Sequence, residues 1–283
     1  MDVSRYWNFA DPAASEAAFR QALAGAVPGG DDALTLQTQI ARSFGLRSRF
    51  DDAHALLDRV EPQLAGAGAE PRVRYLLERG RAFRSSKQPV RAQPLFVEAA
   101  ERARADRLDA LEVDALHMIA LVEAEPAAQL SWNRRAFAVA VASSDPIARN
   151  WDASLANNIG FSLADAGRHD EALASFETAL AARERIGDAG RIREARWALA
   201  WALRALLRHD EALALLRRLE TEFAAIGEPD GFVFEEIAEN LLAQQQGAAA
   251  RPYFAKAWQL LSADTSLDRP EAARLERLDR LSR

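Results

Sequence analysis

A stacked array of α-helical pairs is the fold class this sequence predicts, and three observations predict it. Six anchor positions, Ala53, Ala92, Trp132, Ala172, Ala212 and Ala250, recur at spacings of 38 to 40 residues. A constant set of apolar and small residues accompanies each anchor at helical offsets. Gly, Pro, Asp and Ser cluster between those sets, and no alternating strand-like run of useful length occurs. A period of this length is the mark of a repeat architecture, in which each unit buries its apolar face only against its neighbours.

Each repeat reads as helix, short turn, helix. Four residues after the anchors lie Leu57, Phe96, Ala136, Phe176, Leu216 and Phe254, and seven after them Val60, Ala99, Val139, Ala179, Leu219 and Ala257. Offsets of this kind align apolar groups on one helical stripe. Twelve residues before the anchors every residue is small: Ala41, Gly80, Ala120, Gly160, Ala200 and Ala238. A small residue there lets one helix lie close to its neighbour. Nine before the anchors come Phe44, Phe83, Glu123, Leu163, Leu203 and Leu241, which completes the stripe of a first helix. The turns within repeats include Gly45–Ser48, Ser85–Pro89 and Asp165–Arg168; those between repeats include Gly66–Gly68, Asp145-Pro146, Gly187–Gly190 and Gly227–Gly231. These residues interrupt helices for conformational reasons.

The ends read as caps. Asp11-Pro12 supplies a capping carboxylate and a proline suited to the first helical position. The helix it opens carries Phe19 and Ala22, with Ser15 in the anchor slot. Trp7 and Phe9 precede it and are expected to fold back as a hydrophobic plug. Gly29-Gly30-Asp31-Asp32 reads as a turn with Asp as helix cap. At the other end Arg269-Pro270 opens a helix bearing Leu275, Leu278 and Leu281, with Arg274, Arg277, Arg280 and Arg283 on its other faces. The expected organisation is a capping segment over 1–33, six repeats over 34–262 and a closing helix over 263–283. Together they make one continuous solenoid of about fourteen helices.

The phrase Asn158-Ile159-Gly160, Leu163, Gly167-Arg168-His169-Asp170-Glu171-Ala172-Leu173, Phe176 resembles the tetratricopeptide repeat, and Arg208–Leu213 repeats part of it. Repeats around Ala53, Ala92 and Ala250 follow the pattern. The one around Trp132 departs from it, since Trp fills the small anchor slot and Glu123 a core slot. The resemblance implies a right-handed α-α superhelix, with units longer than the usual 34 residues. Arrays of such long units resemble those of cargo adaptors and of bacterial peptide-sensing regulators, a likeness of architecture that transfers no ligand.

Composition narrows the classes. At 283 residues and 49% hydrophobic content the chain has enough apolar surface for a long core. It has no cysteine, which excludes disulfides and thiolate chemistry. No apolar leader or membrane-length run is present, so a cytoplasmic location is expected. Of 36 basic side chains only Lys87 and Lys256 are lysine, which fits a GC-rich, bacterial coding bias. A net charge of −6 argues against sequence-independent nucleic-acid binding. His54, His117, His169 and His209 are scattered, no metal-ligand spacing occurs, and no catalytic constellation or cofactor motif is evident. No enzyme is expected.

In tetratricopeptide arrays the first helix of each repeat faces the concave side, and the resemblance implies ligand-contacting slots 7 to 18 residues before the anchor. Those slots hold Arg42 in the first repeat and Arg74, Glu78, Arg81 and Arg84 in the second. His117, Met118 and Leu121 follow in the third, and Asn157, Asn158 and Phe161 in the fourth. The fifth gives Trp197, Trp201 and Arg204, and the sixth Glu235, Glu236 and Glu239. The groove therefore reads as basic, then apolar and aromatic, then acidic. Asn158 resembles the asparagine that peptide-binding arrays use on a ligand's main chain, since an amide both donates and accepts. Trp197 and Trp201 share one face of a helix that is apolar nearly all round, and either pack in the core or line a groove. Arg79 and Glu123 stand in core slots and are expected to pair with each other or to cap neighbouring backbone. Asp165 and Arg204 occupy facing slots and could also pair.

The function these features favour is a non-catalytic adaptor holding a partner peptide in the groove. The alternative is a regulatory module in which a small ligand or signalling peptide acts through a separate effector. A scaffold working through its convex face or by self-association is the third. No nucleic acid, membrane insertion or metal is implied.

Overall fold

The computed structural model describes residues 1–264 and 271–283. They contain helices and no strand. Helix α1 spans Pro12–Ala24, and six pairs follow: α2 (Asp31–Leu46) with α3 (Phe50–Val60), α4 (Ala69–Ser85) with α5 (Pro89–Ala105), and α6 (Asp109–Val122) with α7 (Pro126–Ala142). After the short α8 (Pro146–Arg149) come α9 (Trp151–Asp165) with α10 (His169–Ile186), α11 (Ala189–Ala205) with α12 (His209–Ile226), and α13 (Gly231–Ala243) with α14 (Gly247–Ala263). Helix α15 (Ala272–Ser282) ends the chain. The expected opening at Arg269-Pro270 lies outside the described residues. The chain divides into two compact bodies, Met1–Leu155 and Ala156–Arg283, the division falling within α9.

The repeat positions behave as their chemistry demands. The five alanine anchors are buried, as are the residues four positions after every anchor. The small slot receives a ring. A β-carbon on Gly80 would stand 2.4 Å from Cε1 of Phe96, and one on Gly160 would stand 2.6 Å from the same atom of Phe176. The two helices of these repeats meet with an aromatic side chain of the second laid on bare backbone of the first. Trp132, the odd anchor, is half-buried, and Arg135 stacks on its ring at 4.3 Å.

The turns inside repeats share one device. Ser48, Lys87, Gly167, Leu207 and Gln245, each five residues before an anchor, adopt left-handed backbone with φ between 59° and 73°. The third repeat lacks it and passes from α6 to α7 through the extended residue Glu123. Two local expectations are corrected. Asp145-Pro146 does more than end a repeat: the Asp145 carboxylate accepts the Ile147 N–H at 2.9 Å and starts the extra helix α8. Gly30, not an aspartate, caps α2, and the Asp31 carboxylate instead accepts the Gly68 N–H at 2.9 Å, across 37 residues. No helix among the described residues is long and apolar enough to cross a membrane.

Candidate partner-binding faces

In the N-terminal body the first helices α2, α4 and α6 bring their arginines to buried carboxylates. Arg81 donates to both oxygens of Asp114, at 2.5 and 2.6 Å, and to Glu78 at 2.7 Å. Arg42 lies 3.6 Å from Glu78. Burial pushes the Asp114 carboxyl up, but the Arg81 and Arg42 guanidiniums outweigh it and hold its pKa below the ordinary value. Burial, with Arg81 alongside, lowers the pKa of Arg42, whose Nε finds no acceptor among the described residues. A buried charge network is costly unless each member is paired, so this cluster fixes how α2, α4 and α6 meet. The basic end expected of the groove is therefore mostly compensated from within: Arg74 pairs with Glu70 at 2.8 Å, and Arg84 alone stands exposed.

Arg79 and Glu123 do not pair. Arg79 bonds Asp58, with Tyr75 Oη at 3.3 Å, and reaches the ring and the carbonyl of His54 at 3.1 and 3.3 Å. It reaches back to the second helix of the preceding repeat, as a long side chain can, and caps its backbone. Glu123 ends α6 half-exposed, which removes the need for a buried partner. His117 is half-buried with its ring 5.4 Å from Trp151; burial lowers its pKa, and Nδ1 has no partner among the described residues. Met118 is buried, whereas Leu121 is 44% exposed.

The C-terminal body holds the aromatic face. Asn157, Asn158 and Phe161 on α9 and Trp197 and Trp201 on α11 are all half-buried. Phe161 lies 5.7 Å from Trp201 and 4.9 Å edge-on to Phe176, which links the face to the glycine–phenylalanine contact beneath it. Trp197 Nε1 donates to the Phe232 carbonyl at 3.3 Å. Asn158 precedes Phe161 by one helical turn, so both project from the same side of α9. Its amide makes no hydrogen bond to another described residue. The arrangement is thus an aromatic floor beside a free donor and acceptor.

The acidic residues of the sixth repeat are already matched. Arg274 on α15 donates to Glu235 at 2.9 Å, Arg277 bonds both oxygens of Glu239, and Arg204 grips Glu236 with bonds of 2.7 and 2.9 Å. Burial nonetheless raises the Glu236 pKa, against the pull of Arg204. Arg204 therefore does not pair with Asp165, which is exposed. Arg274 and Arg277 of α15 look like solvated surface in the sequence; in the fold they cover the acidic end. Sequence reasoning also missed Asp114 and Gln39, although both stand in the same register as the chosen slots. Among the described residues no group of three or more His, Cys, Asp or Glu could hold a metal ion.

Residues 151–220 match the family model of the tetratricopeptide repeat. No curated protein sequence matches the chain. The fold is similar to the apo form of RapI, with a TM-score of 0.78 and 13% identity, covering 99% of this chain and 80% of that one. It is similar to aspartyl phosphate phosphatase F from Bacillus subtilis, with a TM-score of 0.57 and 17% identity over 87% of this chain and 65% of that one. A Rap protein complexed with competence and sporulation factor is also similar, with a TM-score of 0.54 and 16% identity over 94% and 79%. At such identities the likeness is one of fold. The described residues are all-α, and residues 151–220 carry the tetratricopeptide-repeat pattern.

Proposed function

We propose that this tetratricopeptide-repeat chain is a non-catalytic adaptor of the bacterial cytoplasm, holding an extended peptide of a partner protein against α9 and α11. The observation that carries this reading is the half-exposed Phe161–Trp201 pair with the unengaged Asn158 amide one turn away. Each ring offers ~150–250 Å² of apolar surface to a partner. The amide serves the main chain of any sequence, and the Trp201 indole N–H adds polar anchoring, that of Trp197 being held by the Phe232 carbonyl. Charge takes a smaller part than the sequence suggests, because Arg81, Arg204, Glu235 and Glu239 are engaged within the chain. Apolar burial and main-chain bonding supply the affinity.

A second reading is a peptide-responsive regulator acting on a separate effector. A Rap protein of similar fold is known complexed with competence and sporulation factor, and that observation favours it. Both readings share the same face.

The test is capture from native lysate by wild type and by Asn158→Ala/Trp201→Ala, with helicity and melting checked first. A protein held by wild type and lost by the folded variant supports the face. Equal capture by both would remove α9 and α11 from the interface.

A further inference from the structure

The N-terminal body holds a segment of its own chain in the manner of a ligand. Gln39 stands fourteen residues before its anchor Ala53, the register position that Asn158 fills before Ala172. Its Oε1 accepts the indole N–H of Trp7 at 3.1 Å. Arg42, three residues on, lies over both Trp7 and Phe9 at 5.4 and 5.5 Å from the ring centroids. Those two rings are stacked 4.8 Å apart and only 2° from parallel, and Trp7 meets Phe19 edge-on at 5.0 Å.

A hydrophobic plug would bury these rings. Here Phe9 is 59% exposed, and the pair forms one wall of a 560 Å³ cavity whose other walls include Arg42, Leu111, Ile147 and Trp151. The recognition is specific in kind: a side-chain donor for Gln39 and two aromatic faces for a cation whose Nε still lacks an acceptor.

We propose that this face of the first repeat is a recognition site for a Trp-X-Phe peptide of a partner protein, occupied in the free protein by Trp7-Asn8-Phe9. The inference goes beyond the reading above and uses no residue of the α9–α11 face, so either can fail alone. A tethered segment competes at an effective concentration in the millimolar range. A partner therefore binds wild type with reduced apparent affinity, and loss of the internal segment exposes the full affinity.

The probe is a fluorescein-labelled peptide of residues 2–11, titrated by anisotropy against wild type and Trp7→Ala/Phe9→Ala. The variant is expected to bind it about 10-fold or more tighter than wild type. The same peptide with alanine in place of Trp7 and Phe9 is expected not to bind. Adding Gln39→Ala to the variant is expected to weaken binding about 10-fold, as loss of one hydrogen bond does. Absence of binding up to ~1 mM by a variant with native circular dichroism overturns the proposal, since tethered competition lies in that range. Equal binding by wild type, or by the alanine peptide, also overturns it. If the double variant does not fold, Phe9→Ala takes its place: it removes an exposed ring and must still bind several-fold tighter than wild type. A wild-type dimer abolished by Trp7→Ala/Phe9→Ala would overturn the proposal in favour of segment exchange between copies.

Discussion

The ring of Phe176 lies on the backbone of Gly160, sixteen residues earlier, so closely that a β-carbon there would stand 2.6 to 2.9 Å from three ring atoms. Gly80 and Phe96 repeat the relationship. The contact sets the separation of α9 and α10, and through the Phe161–Phe176 edge it supports the aromatic face. Gly160→Ala is therefore expected to destabilise by about 1–3 kcal/mol, the cost of overpacking a tight core. Gly247→Ala, whose β-carbon meets nothing within 4 Å, should be near neutral. Paired thermal melts check both; equal shifts would contradict the contact.

Arg81 compensates two buried carboxylates, Asp114 and Glu78. Arg81→Met should cost about 3–5 kcal/mol, because it leaves buried charge unpaired. Adding Asp114→Asn should recover part of that loss. Denaturant titration of the two single variants and the double variant measures the coupling; additive losses would show that the pair does not act as one.

Legibility divides along the same line. The anchors, the small slots and the Phe96, Phe176 and Phe254 positions are visible in sequence because each is set by contacts inside one repeat, at fixed offsets. The partners of Arg79, Arg204, Arg274 and Arg277 are not. Each bonds a residue about 20 to 40 positions away, on a different helix, and no local pattern tells an inward arginine from a solvated one. The groove slots are legible as positions, but their free charge is not, since it depends on those pairings.

The lowered pKa of His117 gives a pH dependence with a definite sign. The unfolded chain takes up a proton near pH 6.5 while burial keeps the folded imidazole neutral. Stability is fully present above 6.5 and falls as pH drops below it, toward the lower folded pKa. His54, also lowered by burial, adds to the same slope. His117→Gln should flatten the decline in Tm between pH 7 and 5. An unchanged slope would assign the dependence elsewhere.

Leu207 is 77% exposed and holds φ of 60°, where its counterpart in the preceding repeat is Gly167. Left-handed backbone costs a side-chain-bearing residue ~1–2 kcal/mol, against ~0.5–1 kcal/mol of extra chain entropy for glycine. Leu207→Gly should therefore raise stability by roughly 0.5–1 kcal/mol. A lower melting temperature would mean that the exposed leucine contributes packing the backbone argument omits.

The most direct measurement of the central claim is site-specific photocrosslinking in native lysate, with benzoylphenylalanine placed at Phe161 in one protein and at the exposed Val90 of α5 in another. The α9–α11 face as the partner site predicts a discrete crosslinked partner from position 161, suppressed by Asn158→Ala, and none from position 90. A partner crosslinked from position 90 alone would place recognition on the outer helices and contradict the account.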